Sequence, residues 1–135
     1  MVTKKLHKDR ELERIAGPFA VPLLEGYVFS PLGIVPKKKP GQFRLIHKLS
    51  APSGLPVNDP QWCSVRYATV DEALRILWRL GPGAMLAKAD TESAFRLLPV
   101  HPNDYHLLGF QFGGGYYYDK RMPLGCAVSC PILNS

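Results

Sequence analysis

Cysteine is scarce, long apolar runs are absent and acids are missing where bases are densest, and each shortage removes a class of protein. Three cysteines (Cys63, Cys126, Cys130) are too few and too odd in number to staple a secreted scaffold, so a reducing, intracellular setting is expected. No run of apolar residues approaches the ~18 needed to cross a bilayer, so no membrane partner is expected. Residues 1–14 are charged throughout and lack the apolar stretch of a secretory signal. Cytoplasm and nucleus stay open as compartments. There is no internal repeat and no linker long enough to divide the chain.

What is present is ordinary globular material: 135 residues, 46% hydrophobic and 21% charged, enough for one domain or part of one. Seventeen Lys and Arg against 11 Asp and Glu give a net charge of +6. The excess is concentrated. Five cations (Lys37, Lys38, Lys39, Arg44, Lys48) and no acid lie between positions 37 and 48. A solvated basic face and a phosphate-binding surface both account for such a cluster. Twelve glycines and 13 prolines are spread as punctuation, which implies short strands and turns.

Lys4–Ala16 reads as a charged helix stopped by Gly17-Pro18, and Phe19–Phe29 as loop or irregular strand. Gly33–Val35 and Phe43–His47 are β-prone runs around a Pro40-Gly41 turn. Pro presets φ at the first central position of a type II turn and Gly accepts the positive φ at the second. Val70, Ala73, Leu74, Leu77 and Leu80 recur at helical spacing behind a Thr69/Glu72 capping box, with Gly81 as the stop. Arg75 and Arg79 fall on another face of that helix. Ala84–Ala89 reads as a buried strand ending at Asp90, Ser93–Leu98 as a helical turn, and Leu107–Phe112 with Tyr116–Asp119 as a second hairpin. The fold class expected is α+β, antiparallel hairpins with packed helices.

Asp90 is the first candidate for chemistry. A carboxylate at the end of a buried strand is costly unless it meets a cation, and a metal ion is one solution; capping the turn that follows is the other. The run Lys88-Ala-Asp90-Thr-Glu-Ser-Ala-Phe95-Arg resembles the first catalytic motif of reverse transcriptases, the RNA-directed DNA polymerases of retroelements. Pro31-Leu-Gly-Ile-Val-Pro-Lys-Lys-Lys-Pro-Gly-Gln-Phe-Arg44-Leu-Ile resembles the fingers hairpin of the same enzymes. Leu98-Pro-Val-His-Pro-Asn-Asp-Tyr and Met122-Pro-Leu-Gly125-Cys-Ala-Val-Ser129-Cys-Pro131 resemble the segments that follow. The matches keep the family's order over about residues 30–132. Their Pro/Gly spacing is closer to retrotransposon than to retroviral enzymes.

The resemblance implies roles. Asp90, with the Thr91 backbone carbonyl beside it, would help hold two Mg²⁺ ions for transfer of a nucleotide from a dNTP to a primer 3′-hydroxyl. Phe95 would be the steric gate against a ribose 2′-hydroxyl. Lys37, or Lys38 as its alternate, would meet the triphosphate, and Arg44 would lie against the nucleotide. Gly125 would support the nucleotide, and Ser129 and Pro131 the template-primer. Leu124 stands where the family carries Gln or Phe, which leaves no polar contact at that position. The implied partners are an RNA or DNA template-primer, dNTP and the rest of a polymerase chain or polyprotein.

The resemblance divides the chain into an N-terminal helix and lead-in (residues 1–29) and a partial polymerase domain (residues 30–135). That domain is a portion of fingers and palm without the aromatic-x-Asp-Asp turn that carries the remaining carboxylates, so the 135-residue chain alone is expected to lack polymerase activity. A catalytically dead nucleic-acid-binding module is the alternative. A zinc-stabilised interaction protein, with His101, His106, Cys126 and Cys130 as ligands, is a third possibility that the order of the His and Cys pairs disfavours. His47 is expected to serve as a hydrogen-bonded structural side chain.

Overall fold

A computed structural model describes residues 1–51, 56–58 and 66–127. Helix α1 spans Val2–Glu11 and strand β1 Ile15–Phe19. Strands β2 (Leu32–Pro36) and β3 (Phe43–His47) form the first hairpin. Helix α2 covers Val70–Leu80, and strands β4 (Gly109–Phe112) and β5 (Gly115–Asp119) form the second hairpin. Short 3₁₀ turns occupy Ala94–Leu97 and Pro102–Leu108. The result is an α+β arrangement with two antiparallel sheets, one ordered β1-β5-β4 and the other β2-β3.

The expected helix to Ala16 ends early, and its tail is a strand. Glu13 takes φ +53°, the Glu13 amide donates to the Arg10 carbonyl (3.0 Å) and the Arg14 amide to the Asp9 carbonyl (2.8 Å). That pair of bonds is the Schellman closure, made here by a glutamate rather than a glycine. The chain then turns Ile15 and Ala16 into pairing with Asp119 and Tyr118 of β5, and the register slips across Gly17-Pro18 before Phe19 meets Tyr116. Ile15 is buried with Leu6 and Phe110, and removal of its apolar surface from water outweighs five more residues of helix.

The first hairpin forms as its turn chemistry dictates. The Gln42 amide donates to the Lys39 carbonyl (3.2 Å) across Pro40-Gly41, and Gly41 takes φ +75°, the type II geometry. In the second hairpin the reversal lies at Gly113-Gly114 and Gly115 already belongs to β5. Helix α2 has both arms of its capping box, the Glu72 amide donating to Thr69 Oγ1 (3.2 Å) and the Thr69 amide to Glu72 Oε2 (2.8 Å).

The second departure is at Ala84–Ala89. The stretch forms no strand and is not buried: Met85 is 95% and Leu86 78% exposed. Its apolar run reads as a core strand because composition carries no information about which neighbour covers it. No residue of α2 is buried either, and Trp78 is 88% exposed.

Two small cores carry the packing. Leu49, Val57, Val100, Leu108 and Cys126 form one; Leu6, Ile15 and Phe110 form the other. Phe110 stacks on Tyr117 with ring centroids 5.1 Å apart and meets the His47 ring edge-on at 5.4 Å. Charge ties the two cores together. Buried Asp119 receives His47 Nδ1 at 2.9 Å on one oxygen and Arg96 Nη1 on the other. Arg96 also approaches buried Asp9 (3.9 Å), which holds Lys5 (3.1 Å) and Arg14 (3.2 Å). Five segments of chain (α1, its exit, β3, the first 3₁₀ turn and β5) thus meet in one network.

Candidate functional site

The hairpin β2–β3 carries the cations. Register pairs Val35 with Arg44 and Ile34 with Leu45, and because side chains alternate along a strand, Arg44 lies on one face while Ile34, Phe43 and Leu45 lie on the other. Lys37 leaves β2 at its end, its amide donating to the Gln42 carbonyl at 2.8 Å. Lys37, Lys38 and Arg44 are exposed and make no ion pair among the described residues. Three positive charges without partners among the described residues, within a few positions of one another, are the setting in which an exposed phosphate gains charge-assisted hydrogen bonds.

Gly125 is brought to this hairpin from the far end of the chain. The His47 amide donates to the Leu124 carbonyl (2.9 Å), and the Gly125 Cα sits so close to the His47 carbonyl oxygen that a Cβ would collide with it. Gly125 also takes φ +119°, which a side chain would strain. Asn58 locks the same loop, donating from Nδ2 to the Gly125 carbonyl (2.9 Å) and accepting the Ala127 amide on Oδ1 (2.9 Å). Ser129 and Pro131 lie outside the described residues.

Asp90 and Thr91 stand apart from this contact. Both are exposed, and neither makes a hydrogen bond or ion pair among the described residues. The capping alternative for Asp90 is not realised: Ser93 occupies the cap position of the 3₁₀ turn, without a side-chain cap bond. Phe95 is half-buried in that turn. Its neighbour Arg96 anchors the segment, donating to Asp119 and to the Arg121 carbonyl (3.2 Å). Among the described residues no group of three His, Cys, Asp or Glu side chains converges on a common point. Mg²⁺ wants several hard oxygen donors in near-octahedral array, and one exposed carboxylate beside Thr91 does not fit a pair of such ions.

His47 has the structural place expected of it, with Nδ1 on Asp119 and Nε2 on the Gly109 carbonyl (3.1 Å). His101 accepts the Asn103 amide on Nδ1 (3.2 Å) and caps the second 3₁₀ turn. Of the zinc set, Cys126 packs in the core and Cys130 lies outside the described residues.

Sequence reasoning passed over three groups. Asp9, Asp119 and Arg96 belong to no motif in the sequence, and only the fold brings them together. A shallow cleft of about 520 Å³ between residues 66–68 and α2 gathers Arg66, Arg75 and Arg79, with Arg66 paired to Glu72. Tyr27 and Tyr118 share an aromatic cluster (Tyr27 on Phe29 at 5.1 Å, Tyr118 on Tyr105 at 5.2 Å). Burial, and after it a neighbouring tyrosine, pushes both phenols above their ordinary pKa of 10.0.

No protein-family model matches the chain, and no curated protein is significantly similar to it in sequence.

Proposed function

We propose that residues 30–132 are the fingers and the beginning of the palm of a retrotransposon-type reverse transcriptase, an RNA-directed DNA polymerase that transfers nucleotides from dNTP to a primer 3′-hydroxyl on an RNA or DNA template. One observation carries the reading. His47, the residue directly after one segment that resembles the nucleotide-binding parts of that family (31–46), donates its amide to Leu124 and packs against Gly125 of another (122–127), although over 70 residues separate them. A chance match of short Pro- and Lys-rich strings has no reason to fold into contact.

In this reading Arg44 and Lys37 hold the triphosphate by charge-assisted bonds, Phe95 crowds a ribose 2′-hydroxyl, and Gly125 lets the loop press on the hairpin. Asp90 is one carboxylate of a metal-binding set whose other donors are not among the described residues, so the roles assigned to this chain are binding, orientation and sugar selection. The test has two arms. The transcript beyond the codon for Ser135 is expected to continue into an aromatic-x-Asp-Asp strand; in the chain so encoded, Asp90→Asn abolishes primer extension and Phe95→Val admits ribonucleotides. A stop codon at that point, or full extension by Asp90→Asn, overturns the reading.

The isolation of Asp90 favours a second reading, a nucleic-acid-binding module without catalysis that uses the same hairpin. It predicts salt-dependent binding to a template-primer hybrid that Asp90→Ala leaves unchanged.

A further inference from the structure

A groove of about 440 Å³ runs between α1 and the face of the β2–β3 hairpin opposite Arg44. We propose that it binds a single strand of nucleic acid, with lysines along its walls on the phosphates and Phe43 in its floor under a base. The groove joins α1, which lies outside the segments that carry the family resemblance, to the hairpin face opposite Arg44, and it shares only Lys37 with the nucleotide contact of the proposed function.

Lys4 and Lys8 stand one helical turn apart on α1 and Lys37 faces them from the hairpin. All three are exposed and none forms an ion pair among the described residues. A fourth lysine, Lys5, is held by Asp9 and is discounted. Among the described residues no acid lines the groove. The floor is apolar, made of Ile34, Phe43 and Leu45, with Ile34 47% and Phe43 45% exposed. Uncompensated cations flanking an exposed aromatic ring are the two components of a single-strand platform: phosphates on the walls, a base on the ring. A duplex keeps its bases stacked inside and cannot use Phe43. A lipid surface would need an apolar helix face to enter it, and α1 has only Val2 and Leu6, the latter buried.

The magnitudes are specific. Three phosphate contacts at a single-strand slope of about −0.7 each give a log–log salt slope near −2, an approximately 20-fold loss of affinity between about 50 and 200 mM salt. The experiment is fluorescence anisotropy of a labelled oligo-dT of about 15 nucleotides, a length at the upper end of single-strand site sizes, titrated with the 135-residue chain. Lys4→Gln/Lys8→Gln removes two contacts and leaves a loss of roughly threefold over the same range. Phe43→Leu weakens oligo-dT between about five- and 150-fold, keeps the salt slope, and leaves binding to base-free polyphosphate unchanged. Arg44→Ala leaves oligo-dT binding unaltered, so failure of the groove and failure of the nucleotide reading are separately visible. All variants change exposed side chains, and an unchanged circular dichroism spectrum verifies their fold. An unaltered salt slope in the lysine pair overturns the proposal. So does Phe43→Leu binding oligo-dT as the parent does. Phosphatidylserine vesicles displacing oligo-dT, with affinity insensitive to Phe43, assign the groove to headgroups and overturn it equally.

Discussion

Replacing Asp119 by alanine is the sharpest probe of how this chain is held together. Its carboxylate is 1% exposed and lies between His47 and Arg96, which are 2% and 17% exposed. Each hydrogen bond to a charged group contributes about 1.5–3 kcal/mol, so the two bonds together predict a loss of about 3–6 kcal/mol. The independent expectation for breaking a buried ion pair from one side is about 3–5 kcal/mol, most of it the cost of a stranded charge. The two estimates agree near 4 kcal/mol. Against the roughly 7–20 kcal/mol expected for 135 residues at about 0.05–0.15 kcal/mol each, that is a large fraction. The assay is equilibrium urea unfolding followed by far-ultraviolet circular dichroism, where a slope of about 2 kcal/mol per molar converts the loss into a midpoint shift of about 2 M. Adding Arg96→Met to Asp119→Leu removes the stranded guanidinium and is expected to restore about 1–3 kcal/mol, the size of coupling seen between contacting residues. A loss below about 1 kcal/mol, the value of an exposed pair, together with no recovery in the double variant, refutes the claim that this network is desolvated.

Three further outcomes follow from particular contacts. Gly125→Ala places a Cβ on the His47 carbonyl at a φ of +119° and is expected to cost about 2–4 kcal/mol in the same urea assay; a cost under about 0.5 kcal/mol would mean that the loop does not press on the hairpin. Thr69→Ala removes the cap of α2 and is expected to cost about 1 kcal/mol. Because no residue of α2 is buried, the loss appears as faster amide exchange within the helix and not as a shift of the global midpoint. Tyr27 and Tyr118 have folded pKa values raised above 10.0, so above pH 10 the unfolded chain has released protons that the folded chain still holds. Stability is therefore full below pH 10 and falls as pH rises through the folded values. Phenolate absorbance is expected to show these two tyrosines ionising late, and Tyr118→Phe removes one of the late steps.

Local rules carried the elements whose stabilisation is local. The type II turn at Pro40-Gly41, the Thr69/Glu72 capping box and the 3₁₀ turn after Ser93 each depend on residues within four positions of one another, and each forms where its residues say. The cation cluster of the hairpin was equally legible, since its charge follows from the residues in one short window. Failures came where a distant partner decides. Ile15-Ala16 leaves the helix because β5 offers a ladder and Phe110 a surface to bury against, over 90 residues away. Ala84–Ala89 stays open because nothing among the described residues covers it, although its composition is that of a core strand.

The sequence by itself determined the charge, the turns, the caps and the order of short motifs, because these depend on side-chain chemistry and near-neighbour geometry. Tertiary structure alone decided which charges are spent and which are available. Asp9 and Asp119 are paired inside the fold with Lys5, Arg14 and Arg96, whereas Lys4, Lys8, Lys37 and Arg44 remain exposed and uncompensated among the described residues. It also placed Arg44 and Phe43, adjacent in sequence, on opposite faces of one hairpin, because alternate side chains of a strand point opposite ways. Burial and register are properties of chain segments brought together from far apart, and no window of neighbouring residues contains them.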